Sequence, residues 1–182
     1  MGNHRYAAVV ENNHGYLLLT IGDLSEAEAH LSRARKLFDS LRDPVCRAQV
    51  DETLARLHLA AKRYHLAEKV IARAIETLEI GAQEAILSEA LTTQGVVLAR
   101  LGRYREAKWV FDRGSQLAER CGDSDGAGRA LLIMVEEMCR SLSEDELEEI
   151  ALRLKKFLRH SQQSATQERL RKALEQIGLR TP

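Results

Sequence analysis

Cysteine and histidine side chains have the widest chemical range of any in this sequence, since they bind metals, transfer protons and attack electrophiles. The three cysteines, Cys46, Cys121 and Cys139, are irregularly spaced, and no Cys-x-x-Cys pair suggests a zinc site. The six histidines are scattered, and His58 occupies a position that leucine holds elsewhere in the chain. A lone histidine at an apolar position is more often a core residue than a ligand. These residues therefore predict no metal site and no disulfide framework.

Two further segments contain residue types that can support catalysis. The segment GDSDGAG at 122–128 is rich in glycine, but it lacks the Lys-Ser or Lys-Thr pair of a phosphate-binding loop. Carboxylates crowd the segment from Glu144 to Glu149, but at a solvated helix start they lack the burial that raises a carboxyl pKa for acid–base chemistry. We therefore expect no catalytic residue and no cofactor, and a protein that is not an enzyme.

Composition narrows the classes of partner. The 182 residues contain 27 Lys and Arg against 27 Asp and Glu, so the formal net charge is zero. The bulk charge thus favours neither nucleic acid nor an anionic membrane. No apolar stretch approaches the length of a membrane span, and the N-terminal residues lack the pattern of a secretory signal. We expect no membrane partner, no direct nucleic-acid partner and a cytoplasmic location.

An internal repeat with a period of 40 residues organises the chain. Small residues recur at the same two places in three copies, and a large apolar residue follows the second place: Gly15, Ala55 and Gly95; Ala27, Ala67 and Ala107; Leu31, Ile71 and Phe111. A fourth copy after residue 127 keeps the apolar pattern but loses the small residues. Each copy predicts a pair of antiparallel helices whose small residues let the two backbones approach closely.

Local signals mark the ends of these helices. Asp23 with Glu26, and Ser143 with Glu146, have the spacing of a capping box. We predict one all-α domain over residues 1–182, without strands and closed by a capping helix that covers the end of the stack. Its helix pairs are expected at about 8–44, 46–82, 84–123 and 127–160, and the capping helix at 163–178.

The order of small, large, glycine, aromatic and alanine residues resembles the tetratricopeptide repeat. The segments that carry it are ENNHGYLLLTIGDLSEAEAHLSRA, DETLARLHLAAKRYHLAEKVIARA and LTTQGVVLARLGRYREAKWVFDRG. The period of 40 exceeds the family's commoner 34, which implies longer helices or turns. The resemblance implies a right-handed superhelical array, an α-solenoid, with first helices on the concave face and second helices on the convex face.

Members of this family bind their partners on the concave face. The resemblance places ten side chains of the first three repeats on that face as candidate binding residues: Asn12, Asn13, Tyr16, Gln49, Glu52, Thr53, Arg56, Glu89, Thr93 and Arg100. Chaperone-binding members grip a terminal carboxylate with a Lys/Asn/Arg clamp, but Glu89 stands where that clamp requires lysine. We therefore expect no clamp of this kind. Tyr16 is the expected anchor of a bound segment, because rigid aromatic side chains dominate interface energetics. Glu52 and Arg56 are also spaced to pair with each other, which is a purely structural alternative.

Trp109, the only tryptophan, is in register with Ala29 and Lys69. Because a position that accepts lysine is expected to be exposed, Trp109 is predicted to lie on the convex surface. It is a possible second contact site there, or it packs against the stem of Arg113 or Lys108.

The expected function is that of a non-enzymatic interaction module, a scaffold or sensor array that binds a peptide segment or a partner helix in its concave groove. A homo-oligomer is compatible with this expectation. One alternative stays open, because ENN, QVDETLARL and SEALTTQGVVLARLG loosely resemble the repeat regions of bacterial transcriptional regulators. The chain would then be a regulatory fragment whose DNA-binding or effector module lies outside this sequence.

Overall fold

The structure, a computed structural model, describes residues 2–160 and 164–178. Those residues form nine α-helices, one short 3₁₀ helix and no strand, so the all-α prediction is confirmed. The helices are α1 (Gly2–Ile21), α2 (Leu24–Ser40), α3 (Pro44–Ala60), α4 (Tyr64–Ile80), α5 (Glu84–Arg100), α6 (Tyr104–Arg120), α7 (Ser124–Met138), α8 (Glu144–His160) and α9 (Ser164–Gln176). The 3₁₀ helix, Cys139–Ser141, lies between α7 and α8. Residue 163, where the capping helix was predicted to begin, lies outside the described residues.

From α2 onward, a new helix begins every 20 residues. The first six helices are each followed by a residue with positive φ, again 20 residues apart, namely Gly22, Arg42, Lys62, Ala82, Gly102 and Gly122. After α1, for example, the Asp23 N–H donates to the Leu18 carbonyl at 2.9 Å, as in a Schellman cap. The 40-residue period is therefore two equal units, each a helix and a short left-handed turn.

Side chains cap these helices where the sequence predicts it. The Ser143 N–H donates to Glu146 Oε2 at 2.8 Å, and the Glu146 N–H donates to Ser143 Oγ at 3.3 Å, which confirms the reciprocal capping box. At α2, Asp23 Oδ1 accepts from the Glu26 N–H at 3.2 Å. These bonds satisfy backbone N–H groups that the first turn of a helix leaves without partners.

Close packing within each pair explains the small residues of the repeat. A Cβ atom at Gly95 would lie 2.7 Å from the Phe111 ring, and one at Gly15 would lie 2.7 Å from the Leu31 side chain. In the fourth pair the small residue is displaced, because a Cβ at Gly128 would lie 3.0 Å from Phe157. Each first helix therefore makes room for one large side chain of the second helix.

The helices pack in chain order, and the odd-numbered helices α1, α3, α5 and α7 also contact one another in sequence. They form an inner layer, and α2, α4 and α6 lie outside it. At the far end Leu170, Ala173 and Leu174 of α9 are buried against α7 and α8, which confirms the predicted capping role of this helix. The resulting architecture is an all-α solenoid.

The fourth helix pair, expected from about residue 127, begins three residues earlier. Helix α7 begins at Ser124, so Gly126 and Gly128 lie inside its first two turns. Asp123 Oδ1 accepts a 2.8 Å hydrogen bond from the Gly126 N–H, and this cap holds a glycine-rich sequence in helical form. No helix within the described residues is both long and apolar enough to cross a membrane.

Candidate functional site

A groove of about 680 Å³ runs along the inner layer, lined mainly by α1, α3, α5 and α7. Nine of the ten predicted concave-face residues lie together in it: Asn12, Asn13, Tyr16, Gln49, Glu52, Thr53, Arg56, Glu89 and Thr93. Apolar side chains complete the lining, among them Val9, Phe38, Leu59, Ile86 and Val96. The structure therefore brings side chains from four helix pairs onto one concave surface.

The lining side chains form rows because the helices repeat with a constant register. Equivalent positions 40 residues apart line the groove side by side: Val9, Gln49, Glu89 and Arg129 in one row, and Asn13, Thr53, Thr93 and Ile133 in another. Arg129 and Ile133 on α7 are lining residues that the sequence analysis missed. The 40-residue offset from Glu89 and Thr93 is the signal that points to them.

The centre of the groove is a small hydrogen-bonded network around Glu52, a residue only 8% exposed. Glu52 Oε1 accepts hydrogen bonds from Arg56 Nε and from Thr93 Oγ1, each at 2.5 Å. Burial raises the pKa of the Glu52 carboxyl, against the lowering influence of Arg56 and Thr93. The intrahelical pairing of Glu52 with Arg56 is thus present, and Thr93 extends it from α3 to α5.

The net field in the groove is small. Besides the Glu52–Arg56 pair, Glu89 lies 3.6 Å from Arg129, so each lining carboxylate has a cationic neighbour. A surface with balanced charge neither steers nor repels a charged partner strongly.

Several polar groups of the groove have no protein partner among the described residues. The Asn12 side-chain oxygen is buried and accepts no hydrogen bond. Asn13, Tyr16 and Gln49 are exposed in the groove, and their side chains make no hydrogen bond to the described residues. Buried acceptors without partners are rare in proteins, because each costs about 1–3 kcal/mol. The wall formed by α1 and α3 therefore offers donors and acceptors to a ligand.

Arg100 does not line the groove. As the last residue of α5, it makes a two-pronged ion pair with Glu137 of α7, at 2.7 Å from Nε and 2.8 Å from Nη2. Hydrogen bonding to Glu137 raises the pKa of the Arg100 guanidinium. Its role in the structure is to join two neighbouring helix pairs.

Trp109 lies on α6, in the outer layer, and is 63% exposed, as its register predicts. The Arg113 guanidinium lies over the indole ring at 5.7 Å from its centroid, within the range of a cation–π contact. Arg113 also pairs with Glu79 of α4 at 2.6 Å.

The groove contains one thiol, Cys46. Burial and the neighbouring Asp43 raise the pKa of this thiol, so the thiolate that a nucleophile requires is disfavoured. Among the described residues, no cluster of three or more His, Cys, Asp or Glu side chains is arranged to hold a metal ion.

Comparisons with known proteins concern the fold. No family model matches the chain, and no curated protein sequence matches it. Among solved structures, the chain is similar to BtubC (BKLC) from P. vanneervenii, with a TM-score of 0.74 and 14% sequence identity over 90% of this chain and 70% of that one. BtubC is a helical-repeat protein. At this level of identity the similarity shows the fold alone, a helical-repeat solenoid.

Proposed function

We propose that the chain is a non-enzymatic interaction module of the tetratricopeptide type, which holds a segment of a partner protein, extended or helical, in the groove. The observation that carries the proposal is a groove that four helix pairs share, in whose wall the exposed side chains of Asn13, Tyr16 and Gln49 make no hydrogen bond to the described residues. These side chains are accessible to the backbone N–H and C=O groups of a bound segment.

The residues near Asn12 are suited to reading a segment of mixed polarity. The amides of Asn13 and Gln49 can each donate and accept, as peptide groups of a bound segment require. Tyr16 supplies apolar area and a hydroxyl at the same end of the groove. Because the lining charges balance, we expect specificity from hydrogen bonds and shape, and only mild dependence of affinity on salt. The cytoplasm is the proposed location.

The experiment begins with a displayed library of random peptides selected against the immobilised full chain. Selected peptides are then titrated against the wild type, Tyr16→Ala and Asn12→Leu at two salt concentrations, with the convex variant Trp109→Ala as control. We expect Tyr16→Ala to weaken binding by about 30-fold, the effect of losing a 2 kcal/mol hot spot. Asn12→Leu is expected to weaken binding less, and Trp109→Ala not at all. Peptides that bind both groove variants as tightly as the wild type would refute the proposal.

A further inference from the structure

Helix α1 exposes an apolar face on the side away from α2 and α3. The side chains of Tyr6, Val10, Leu17 and Ile21 are 71%, 46%, 57% and 71% exposed. These residues are spaced by four, seven and four positions, so they follow one stripe along the helix. The stripe, which we name the α1 face, comprises these four residues, and His14 lies at its edge, where its ring contacts His30 of α2 at 4.0 Å between ring centroids.

The 40-residue repeat allows the α1 face to be compared with the equivalent faces of α3 and α5. Forty residues on, the equivalents of Val10 and Leu17 are Val50 and Leu57, which are fully buried against the core of the first helix pair. After 80 residues the equivalents are Ala90 and Val97, which are also fully buried. In α3 and α5 this face is the interface with the preceding helix pair. In α1 it has the same apolar character, and no element of the described residues covers it.

The α1 face has no free charge. Of the charged residues in α1, Arg5 pairs with Asp43 at 2.8 Å. Glu11 accepts from His30 at 2.7 Å and from Arg33 at 2.9 Å, so it is turned towards α2. An uncharged surface can meet a copy of itself without placing like charges together.

The opposite end of the solenoid does not match the α1 face. Helix α9 buries its apolar side chains inward and directs charged ones outward: Glu168, Arg169, Arg171, Lys172 and Glu175. A head-to-tail contact would desolvate these charges against a face that offers no opposite charge, which is unfavourable. Of the two ends of the solenoid, another α1 face therefore complements the α1 face, and the α9 end does not.

The spacing of the stripe supports the same arrangement. Its four apolar residues are symmetric about the point between Asn13 and His14. When two α1 helices run antiparallel about a two-fold axis at that point, Tyr6 meets Ile21 of the partner subunit and Val10 meets Leu17 of the partner subunit. Each apolar side chain then has an apolar partner, as an isologous interface requires.

We propose that the chain forms a two-fold dimer through its α1 faces. One 20-residue helix from each subunit, about 30 Å long, gives a contact at the low end of specific interfaces. We therefore expect a dissociation constant in the micromolar range, on the order of 10 µM.

The first experiment is sedimentation velocity of the full chain from about 1 to 300 µM, a range that spans the expected dissociation constant. The wild type should pass from monomer to dimer. Leu17→Glu places a charge inside the interface and should weaken dimerisation at least about tenfold. Leu152→Glu is the matched control, since Leu152 lies on α8 and is 70% exposed, and it should dimerise as the wild type does. Equal thermal unfolding of both variants at 1 µM shows that the monomer fold is intact.

The second experiment locates the axis. In a Cys121→Ser background, which removes an exposed thiol, His14→Cys should give a disulfide-linked dimer on mild oxidation. Ile80→Cys, on the exposed end of α4, should not. A wild type that stays monomeric throughout the range, a dimer that Leu17→Glu leaves intact, or a dimer that His14→Cys does not cross-link would each overturn the proposal.

Discussion

Thr93 on α5 donates a 2.5 Å hydrogen bond to the Glu52 carboxylate on α3, 41 residues away in sequence. Glu52 is buried and also accepts a hydrogen bond from Arg56. The Thr93–Glu52 bond therefore joins two helix pairs at the centre of the groove. We predict that Thr93→Val, which keeps the shape but removes the donor, lowers the free energy of unfolding by about 1 kcal/mol. Urea denaturation measures the change.

Thr92→Val is the control for this prediction. The Thr92 hydroxyl donates to the Ser88 carbonyl of its own helix at 3.0 Å, so its loss breaks no contact between helices. We expect Thr92→Val to change the stability by less than about 0.5 kcal/mol. Equal effects of the two substitutions would show that the Thr93–Glu52 bond contributes nothing of its own.

Gly95 is predicted to be intolerant of any side chain. A methyl group at this position would meet the Phe111 ring at 2.7 Å, so Gly95→Ala should destabilise the protein by about 1–3 kcal/mol through overpacking. In the second repeat the equivalent positions are Ala55 and Ile71, and both are fully buried. An alanine at this place is thus compatible with an isoleucine on the second helix. The double variant Gly95→Ala with Phe111→Ile should therefore recover part of the loss. A thermal melt in which Phe111→Ile gives no recovery would place the strain elsewhere.

The order of Gly81 and Ala82 in the sequence is predicted to reduce the stability of the protein. Ala82 adopts φ of 50°, which favours glycine, whereas Gly81 has φ of −79° and room for an ordinary Cβ contact at 3.4 Å. Exchanging the two residues should raise the free energy of unfolding by about 1 kcal/mol. Gly122→Ala is the reverse test, since Gly122 has φ of 77° and empty space around it, and it should be destabilising. Calorimetry that shows no gain from the exchange would contradict the backbone argument.

Stability is predicted to depend on pH through His58. Burial, with Arg63 nearby, lowers the pKa of this imidazole below its ordinary 6.5, and its Nδ1 has no hydrogen-bond partner among the residues that the structure describes. The unfolded chain therefore binds the proton more readily, so His58 reduces stability as the pH falls through 6.5 towards the folded-state pKa. His58→Leu, which copies Leu18 and Leu98, should be more stable, and its advantage should grow between about pH 8 and 5.5.

The difference between His58→Leu and the wild type isolates this effect, because Asp51 and Glu52 are present in both. Burial raises the pKa of each of these carboxyls, so their contribution to stability runs in the opposite direction with pH. The exposed His65 supplies the control. If acidification increases the stability advantage of His65→Leu over the wild type as much as that of His58→Leu, burial of His58 would not explain the pH dependence.

Trp109 is predicted to fluoresce as an exposed indole. Its 63% exposure gives a red-shifted emission maximum and ready quenching by acrylamide, although the Arg113 guanidinium covers one face of the ring. Arg113→Ala should increase the quenching further. An emission maximum typical of a buried indole would show that Trp109 is covered, either by its own chain or by another.

Much of the fold follows from spacing alone. The recurrence of Gly15, Ala55 and Gly95 predicts three helix pairs, because small residues on one helix and large ones on the next must meet. The start of α7 was harder to predict, since Gly126 and Gly128 are typical of a turn. The Asp123 cap and the approach of Phe157 to Gly128 decide in favour of a helix, and both depend on contacts that the sequence does not display.

The site was predicted less completely than the fold. Register alone places Asn13, Thr53 and Thr93 on one surface, but the bond between Thr93 and Glu52 depends on how far each helix is rotated against the next. For the same reason the repeat register places Arg100 on the concave face, whereas the Arg100 side chain turns towards Glu137 at the edge of α5. Rotation of a helix about its axis is a tertiary property, and a periodic sequence constrains it only to within neighbouring positions.

The 20-residue unit imposes a parity rule on the groove. Each unit reverses the direction of the chain and moves it to the other layer, so successive helices lie alternately in the inner and the outer layer. Only the odd-numbered helices therefore supply the main walls of the groove. Duplicating or deleting a single unit would exchange inside and outside for every helix that follows, and the row of Asn13, Thr53 and Thr93 would be interrupted. Duplicating two units returns every following helix to its original layer and lengthens the groove by one helix. The protein can therefore gain or lose length only in pairs of helices, although its turns repeat after every one.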